Sequence, residues 1–276
     1  MKKIILLFTL ATSYIFSNIN VAVSILPEKS FVEAIGKEKV HVTLMVLPGN
    51  SPHTYEPKPS QMKEIAKVAL YLSIGVEFEK VWLPKFKNLN PQMHIADLSA
   101  NITKLPMAGT ESHHGTADPH IWTSPANIAR IAKDITRHLS GLDPENSAYY
   151  HQNLKRFLTK VKETDKHIRR LLSTIPKGTK FMVFHPSWGY FANTYGLTQV
   201  PVEVAGKAPK PKALVALIKQ AKAEKISAIF TQPEFSDSSA RLIASELDIP
   251  VIKVTPLAAD WSQTLIRIAQ AIAGSR

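Results

Sequence analysis

Residues 143–175 read DPENSAYYHQNLKRFLTKVKETDKHIRRLLSTI, and this stretch decides how the rest of the chain is organised. Asp143 has the side chain of an N-cap, Pro144 suits the first helical position, and Glu145 complements the positive end of a helix dipole. Tyr150, Leu154, Phe157, Leu158, Val161, Ile168, Leu171 and Leu172 then follow one apolar face, until Pro176 and Gly178 end the pattern. At 1.5 Å rise per residue, about 30 residues make a rod of roughly 45 Å. Such a rod between two regions is a stiff spine rather than a flexible hinge.

On either side of it the pattern alternates strand and helix. In the first half strands are expected at 21–26, 40–47, 69–74 and 93–98, with helices at 30–36, 60–68, 79–86 and 125–139. The last of these places Ile128, Ile131, Ile135 and Leu139 at helical spacing. In the second half strands at 180–184, 199–204, 227–231 and 251–254 alternate with helices at 188–195, 211–224, 238–247 and 261–273. Alternation of this kind gives a mostly parallel sheet covered by helices. The fold class is α/β: two βα lobes, 20–142 and 176–276, joined by a long rigid helix over 143–175.

Residues 1–19 read as a secretory signal, with Lys2 and Lys3 ahead of an apolar run from Ile4 to Phe16. That run is shorter than the 20 or so apolar residues a membrane span needs. The sequence has no cysteine, which excludes disulfides, cysteine-ligated zinc and a lipid-modified cysteine anchor. An exported chain without such an anchor belongs in a periplasm. The formal charge of +12 invites a nucleic-acid reading, but the lysines are scattered and no nucleic-acid-binding signature appears. The charge is read as solubility.

Three of the ten histidines sit at the C-terminal ends of strand-like runs: His53 in Ser51-Pro52-His53-Thr54-Tyr55, His120 in Asp118-Pro119-His120-Ile121-Trp122, and His185 in Phe184-His185-Pro186. An α/β sheet gathers such loops at one edge. Each histidine has a proline neighbour that stiffens its backbone, and Tyr55 and Trp122 offer shielding. Three imidazoles meeting at one point suit a borderline divalent metal, zinc above all. His41, His94, His138, His151 and His167 are read as surface or capping residues.

From about Val21 onward the chain resembles the periplasmic zinc- or manganese-binding receptors of metal ABC importers, the family with a rigid linking helix. The resemblance rests on the 48–57 motif from Pro48 to Pro57 around His53, Gly75-Val76-Glu77-Phe78-Glu79, Asp118-Pro119-His120-Ile121-Trp122, and Phe184-His185 followed by Gly189-Tyr190-Phe191. It implies that His53, His120 and His185 ligate the metal, and that the partners are a membrane permease and its cytoplasmic ATPase. The receptor is expected to be a monomer that binds Zn2+ as cargo and performs no catalysis.

One departure concerns the fourth ligand. Where the family commonly has Asp-Pro-Leu, this chain has Thr255-Pro256-Leu257, and threonine brings no carboxylate. Manganese prefers several hard oxygens, whereas zinc accepts three imidazoles and a water, so zinc is favoured over a manganese receptor of the same family. Water, the short His113-His114 loop and Asp260 are the candidates for the fourth position. Glu56 and Glu77 are assigned structural or ligand-orienting roles. The rival from another class is an exported zinc hydrolase with an open fourth position, for which Glu56 would be the base; the sequence offers no His-Glu-x-x-His helix or Gly-x-Ser-x-Gly elbow to support it.

Overall fold

The computed structural model describes residues 18–109, 117–203, 207–226 and 228–274. Most of the expected signal segment (residues 1–17) and the His113-His114 pair lie outside them. In the first half, β1 (Ile19–Val23), β2 (Val40–Leu44), β3 (Leu70–Ser73) and β4 (His94–Asp97) alternate with α1 (Leu26–Gly36), α2 (Pro59–Ile65) and α3 (Glu77–Leu89), and α4 (Pro125–Leu142) follows. The sheet runs β2-β1-β3-β4 with every pair parallel. Its central strands β1 and β3 are buried over most of their length, as a sheet covered by helices requires, whereas the edge strands β2 and β4 are only partly buried.

The second half repeats the plan after α5 (Ser147–Leu171). Here β5 (Lys180–Val183), β6 (Thr198–Pro201), β7 (Ile229–Thr231) and β8 (Val251–Lys253) alternate with α6 (Gly189–Tyr195), α7 (Pro211–Ala223) and α8 (Ser238–Leu247), and α9 (Trp261–Gly274) closes the described chain. The order β6-β5-β7-β8 is again wholly parallel. In both sheets the chain first steps one way and then reverses, which opens a crevice at the C-terminal strand ends. Among the described residues no helix is long and apolar enough to cross a membrane.

The spine is shorter than the sequence suggests. Its α-helix holds 25 residues, about 37 Å of rod, behind a 3-10 turn at Pro144–Asn146. Asp143 is not its N-cap. The Asp143 carboxylate instead accepts hydrogen bonds from Asn146 Nδ2 (2.7 Å) and the Tyr150 hydroxyl (2.6 Å), which braces the tight turn between α4 and α5.

Both lobes grip α5. Asn153 Nδ2 donates to the Ile35 carbonyl at the end of α1 (3.0 Å), and Asp165 accepts from the Tyr195 hydroxyl of α6 (2.9 Å). The last helix adds a third grip. Trp261 of α9 packs on Phe157 and on Phe31 of α1, with ring centroids 5.6 and 6.1 Å apart, while Phe31 and Phe157 meet at 5.8 Å. Such tilted and edge-on aromatic contacts add stabilisation beyond the area they bury. The chain's last helix therefore returns to its first, and the spine lies between them.

Beneath the C-terminal ends of β1 and β3 lies a buried acidic pair. Glu79 accepts from the backbone of Ile74 and Gly75 (2.9 and 2.7 Å), while Glu28 accepts from the Ser24 backbone (2.9 Å); the Ser24 hydroxyl joins Glu79 to the Tyr71 hydroxyl. Gly75 has φ +95°, a conformation that turns its N–H onto Glu79 and suits glycine. Burial pushes Glu79 up to about 7, and burial together with the Glu79 charge raises Glu28 well above the usual carboxylate range.

Because folding raises these pKa values, their protonated forms favour the native state. That contribution is complete below the ordinary carboxylate range and is lost as pH rises through about 7. Urea midpoints are therefore expected to fall from about pH 5 to about pH 8, reflecting a loss of unfolding free energy of up to about 3 kcal/mol for Glu79 alone. Glu28→Gln, which removes one titrating carboxyl from the pair, should flatten the slope. A midpoint independent of pH in both proteins would contradict the assignment.

Candidate metal centre

Two of the three histidines lie in loops after strand ends, and the third does not. His53 lies in the loop between β2 and α2, His185 comes two residues after β5, and His120 stands just before a 3-10 turn, Ile121–Thr123, that leads into α4. The structure brings all three to one cavity between the lobes, together with Glu77, Gln232 and Glu234. Ring centroids of His53 and His185 are 5.3 Å apart, and those of His120 and His185 are 5.2 Å apart. Two imidazoles bound to one tetrahedral ion at about 2.1 Å hold their centroids about 5 Å apart. The backbone thus sets the spacing. Among the described residues no three side chains already stand in geometry that could hold an ion, so ring torsions remain for coordination to adjust.

Each imidazole has a carboxylate at its back. His120 Nδ1 meets Asp118 Oδ1 at 2.7 Å, His185 Nδ1 meets Glu203 Oε1 at 2.9 Å, and His53 Nδ1 lies 3.5 Å from Glu77 Oε2. A carboxylate at Nδ1 fixes the proton there and presents the Nε2 lone pair forward, which is how metal-binding histidines are oriented. His185 Nε2 is buried and without a hydrogen-bond partner, and so is Gln232 Oε1 in the same cavity. Burial pulls the His53 imidazolium below its ordinary range, against the opposing pull of Glu77, so the ring stays neutral further into acid.

Packing holds these groups in place. Phe235 stacks on His185 with centroids 4.7 Å apart, and Trp122 lies 5.3 Å from His120. Trp122 Nε1 also donates to the Pro256 carbonyl (2.9 Å), which ties the His120 segment to the opposite lobe. Asp118 is fully buried, and the Tyr190 hydroxyl donates to its backbone carbonyl (2.9 Å). The start of α6 comes so close to this aspartate that a Cβ at Gly189 would collide with Asp118 Oδ2.

Of the orienting carboxylates expected from sequence, Glu77 stands beside His53, whereas Glu56 is exposed and outside the cavity. Asp118 and Glu203 went unassigned. The first had a signal, an aspartate two residues before a histidine; Glu203 lies 18 residues from His185 and is reached only through β6 pairing beside β5. Asp260 is no neighbour of the histidines: it caps α9 through the Gln263 N–H (3.2 Å), sits 3.7 Å from Lys160 Nζ, and lines a different depression. The Thr255 hydroxyl donates to Glu234 Oε1 (2.8 Å), so the position without a carboxylate positions one from β7's loop.

The family model described as the periplasmic component A of the zinc-uptake complex, ZnuA, matches residues 21–274. The chain is 28% identical over 242 residues to the high-affinity zinc uptake system protein ZnuA of Bacillus subtilis (strain 168), covering 83% of this chain and 75% of that protein. It is 26% identical over 229 residues to the manganese ABC transporter substrate-binding lipoprotein PsaA of Streptococcus mitis, covering 79% and 73%. A crystal structure of ZnuA superposes with a TM-score of 0.87 at 40% identity, covering 94% of this chain and 99% of that one. A zinc-bound deletion mutant of ZnuA gives 0.88 at 40% identity, covering 94% and 98%.

The close approach at Gly189 is open to a direct test. Gly189→Ala drives a methyl group into Asp118, and overpacking of this kind costs about 1–3 kcal/mol. The expected outcome is a lower unfolding midpoint together with a changed His120 ring resonance. An unchanged His120 signal would mean that α6 does not brace the aspartate.

Proposed function

The chain belongs to the ZnuA family, the periplasmic component A of zinc-uptake complexes, and on that premise we propose that it captures Zn2+ between its lobes through Nε2 of His53, His120 and His185. The observation that carries the ligand assignment is the buried, partnerless Nε2 of His185, whose Nδ1 is already engaged by Glu203. A neutral imidazole so held has one lone pair and one direction in which to give it. Water completes the tetrahedron, beside Glu234 and Gln232, and the ion passes as cargo to a membrane permease driven by its cytoplasmic ATPase. The protein acts as a monomer in the periplasm after removal of its signal segment.

The cavity has about 20 Å³ of space for a water-sized particle, enough to seat one ion or water among the three rings. The donor set argues for zinc over manganese, since three nitrogens suit a borderline ion better than a hard one.

Two measurements test this reading. Alanine at His53, His120 or His185 is expected to lower zinc affinity by orders of magnitude in calorimetric titration, with the fold retained. Glu203→Gln should cost roughly ten- to a hundred-fold, because it disturbs orientation and basicity while leaving the ligand in place. Near-native binding in two of the three alanine variants would remove the assignment. In direct competition the wild-type protein is expected to take zinc far ahead of manganese, and a preference for manganese would reverse the selectivity argument.

A further inference from the structure

At the far pole of the first lobe from the cleft, two further histidines meet. His94 opens β4, the edge strand of its sheet, and His138 lies in the penultimate turn of α4. Their ring centroids are 5.6 Å apart with planes inclined at 43°. That spacing is about 0.6 Å wider than the roughly 5 Å that two imidazoles on one tetrahedral ion require. His94 is exposed and His138 half-buried, so small side-chain rotations can close the difference.

As in the cleft, no three side chains among the described residues already stand in geometry that could hold an ion, and Asp134 is the third donor that side-chain rotation would bring in. Asp134 precedes His138 by four residues on α4, which puts both on the same helix face. The Asp134 side chain is 17% exposed, and Arg137 engages only its Oδ1 (3.0 Å), from a guanidinium that is itself mostly in solvent. None of the four ring nitrogens of His94 and His138 has a hydrogen-bond partner among the described residues, in contrast to the carboxylate-backed rings of the cleft. The Lys87 ammonium, which reaches the backbone beside His94, donates to the Met93 carbonyl (2.7 Å).

We propose that His94, His138 and Asp134 form a second binding site for a divalent ion of zinc's borderline class, separate from the cleft. The two are far apart: α4 spans 18 residues, about 27 Å, with the cleft at its N-terminus and His138 near its other end. An exposed site with two imidazoles, and a carboxylate shared with arginine, must bind more weakly than three imidazoles of which two are buried. It fills only after the cleft is loaded, and it does not depend on the cleft's ligand assignment.

The test is calorimetric titration of the full mature protein with zinc. Wild type is expected to take two equivalents, the second at least a hundred-fold weaker than the first. His94→Ala and His138→Ala should each abolish the second equivalent and leave the first unchanged, while Asp134→Asn weakens the second about ten-fold. His120→Ala should lower the first and spare the second, which separates failure of this site from failure of the cleft assignment. A single equivalent in wild type would overturn the proposal. So would a second equivalent that survives both histidine variants and disappears instead in a His113→Ala, His114→Ala double variant.

Discussion

Each of the three cleft imidazoles has its Nδ1 turned toward a carboxylate, and the direction this gives to Nε2 is the constraint on which the centre depends. A lone imidazole in a loop has two tautomers and two ring flips open to it; one held by Asp118 or Glu203 has lost most of that freedom before any ion arrives. Much of the ordering cost is met during folding, so binding need supply only the final adjustment of ring torsions. The supporting layer reaches further out. Gly189 lets α6 press on Asp118, Tyr190 holds the Asp118 backbone, and Phe235 covers the face of His185.

Such orientation is useful only if the two lobes hold still relative to one another, and here the helices matter more than the sheets. α5 is bonded to both lobes, and α9 brings Trp261 back onto Phe31 and Phe157. A hinge made of two extended strands would open by changing a few backbone torsions. This spine can open only by breaking packed aromatic contacts, which favours small tilts and local loosening of a ligand loop over a wide swing. The Trp122 bond to Pro256 is one point where loosening would couple the His120 loop to the opposite lobe.

Much of this was legible in the sequence for identifiable reasons. The parallel two-lobe plan followed from strand–helix alternation, and all three cleft histidines were visible because each touches a proline, although His120 precedes a 3-10 turn rather than following a strand. The spine was recognised, but its start was misplaced: Asp143-Pro144-Glu145 is a good helix opening, and only the Tyr150 and Asn146 contacts show that it closes a 3-10 turn instead. Asp260 was misjudged because sequence nearness to Thr255 says nothing of where a helix cap faces. Glu203 and Glu234 were invisible, since each depends on which strands lie side by side. His94 and His138 looked like isolated surface residues, and only the packing of α4 on the sheet edge brings them together.

Charge balance links these pieces. In the proposed arrangement a divalent ion enters a nearly dry cavity with three neutral imidazoles, a burden of two positive charges that burial would ordinarily oppose. Asp118 and Glu203, both buried behind the rings, and the half-exposed Glu77 offset it without touching the ion. The chain as a whole is strongly basic, with a formal charge of +12, yet its cleft is locally acidic. A cation approaching from solvent responds to nearby carboxylates more than to distant lysines, because charges beyond about 10 Å are largely screened at ordinary salt. The basic surface therefore need not repel the cargo, and the carboxylates that orient the ligands also supply the field that attracts it.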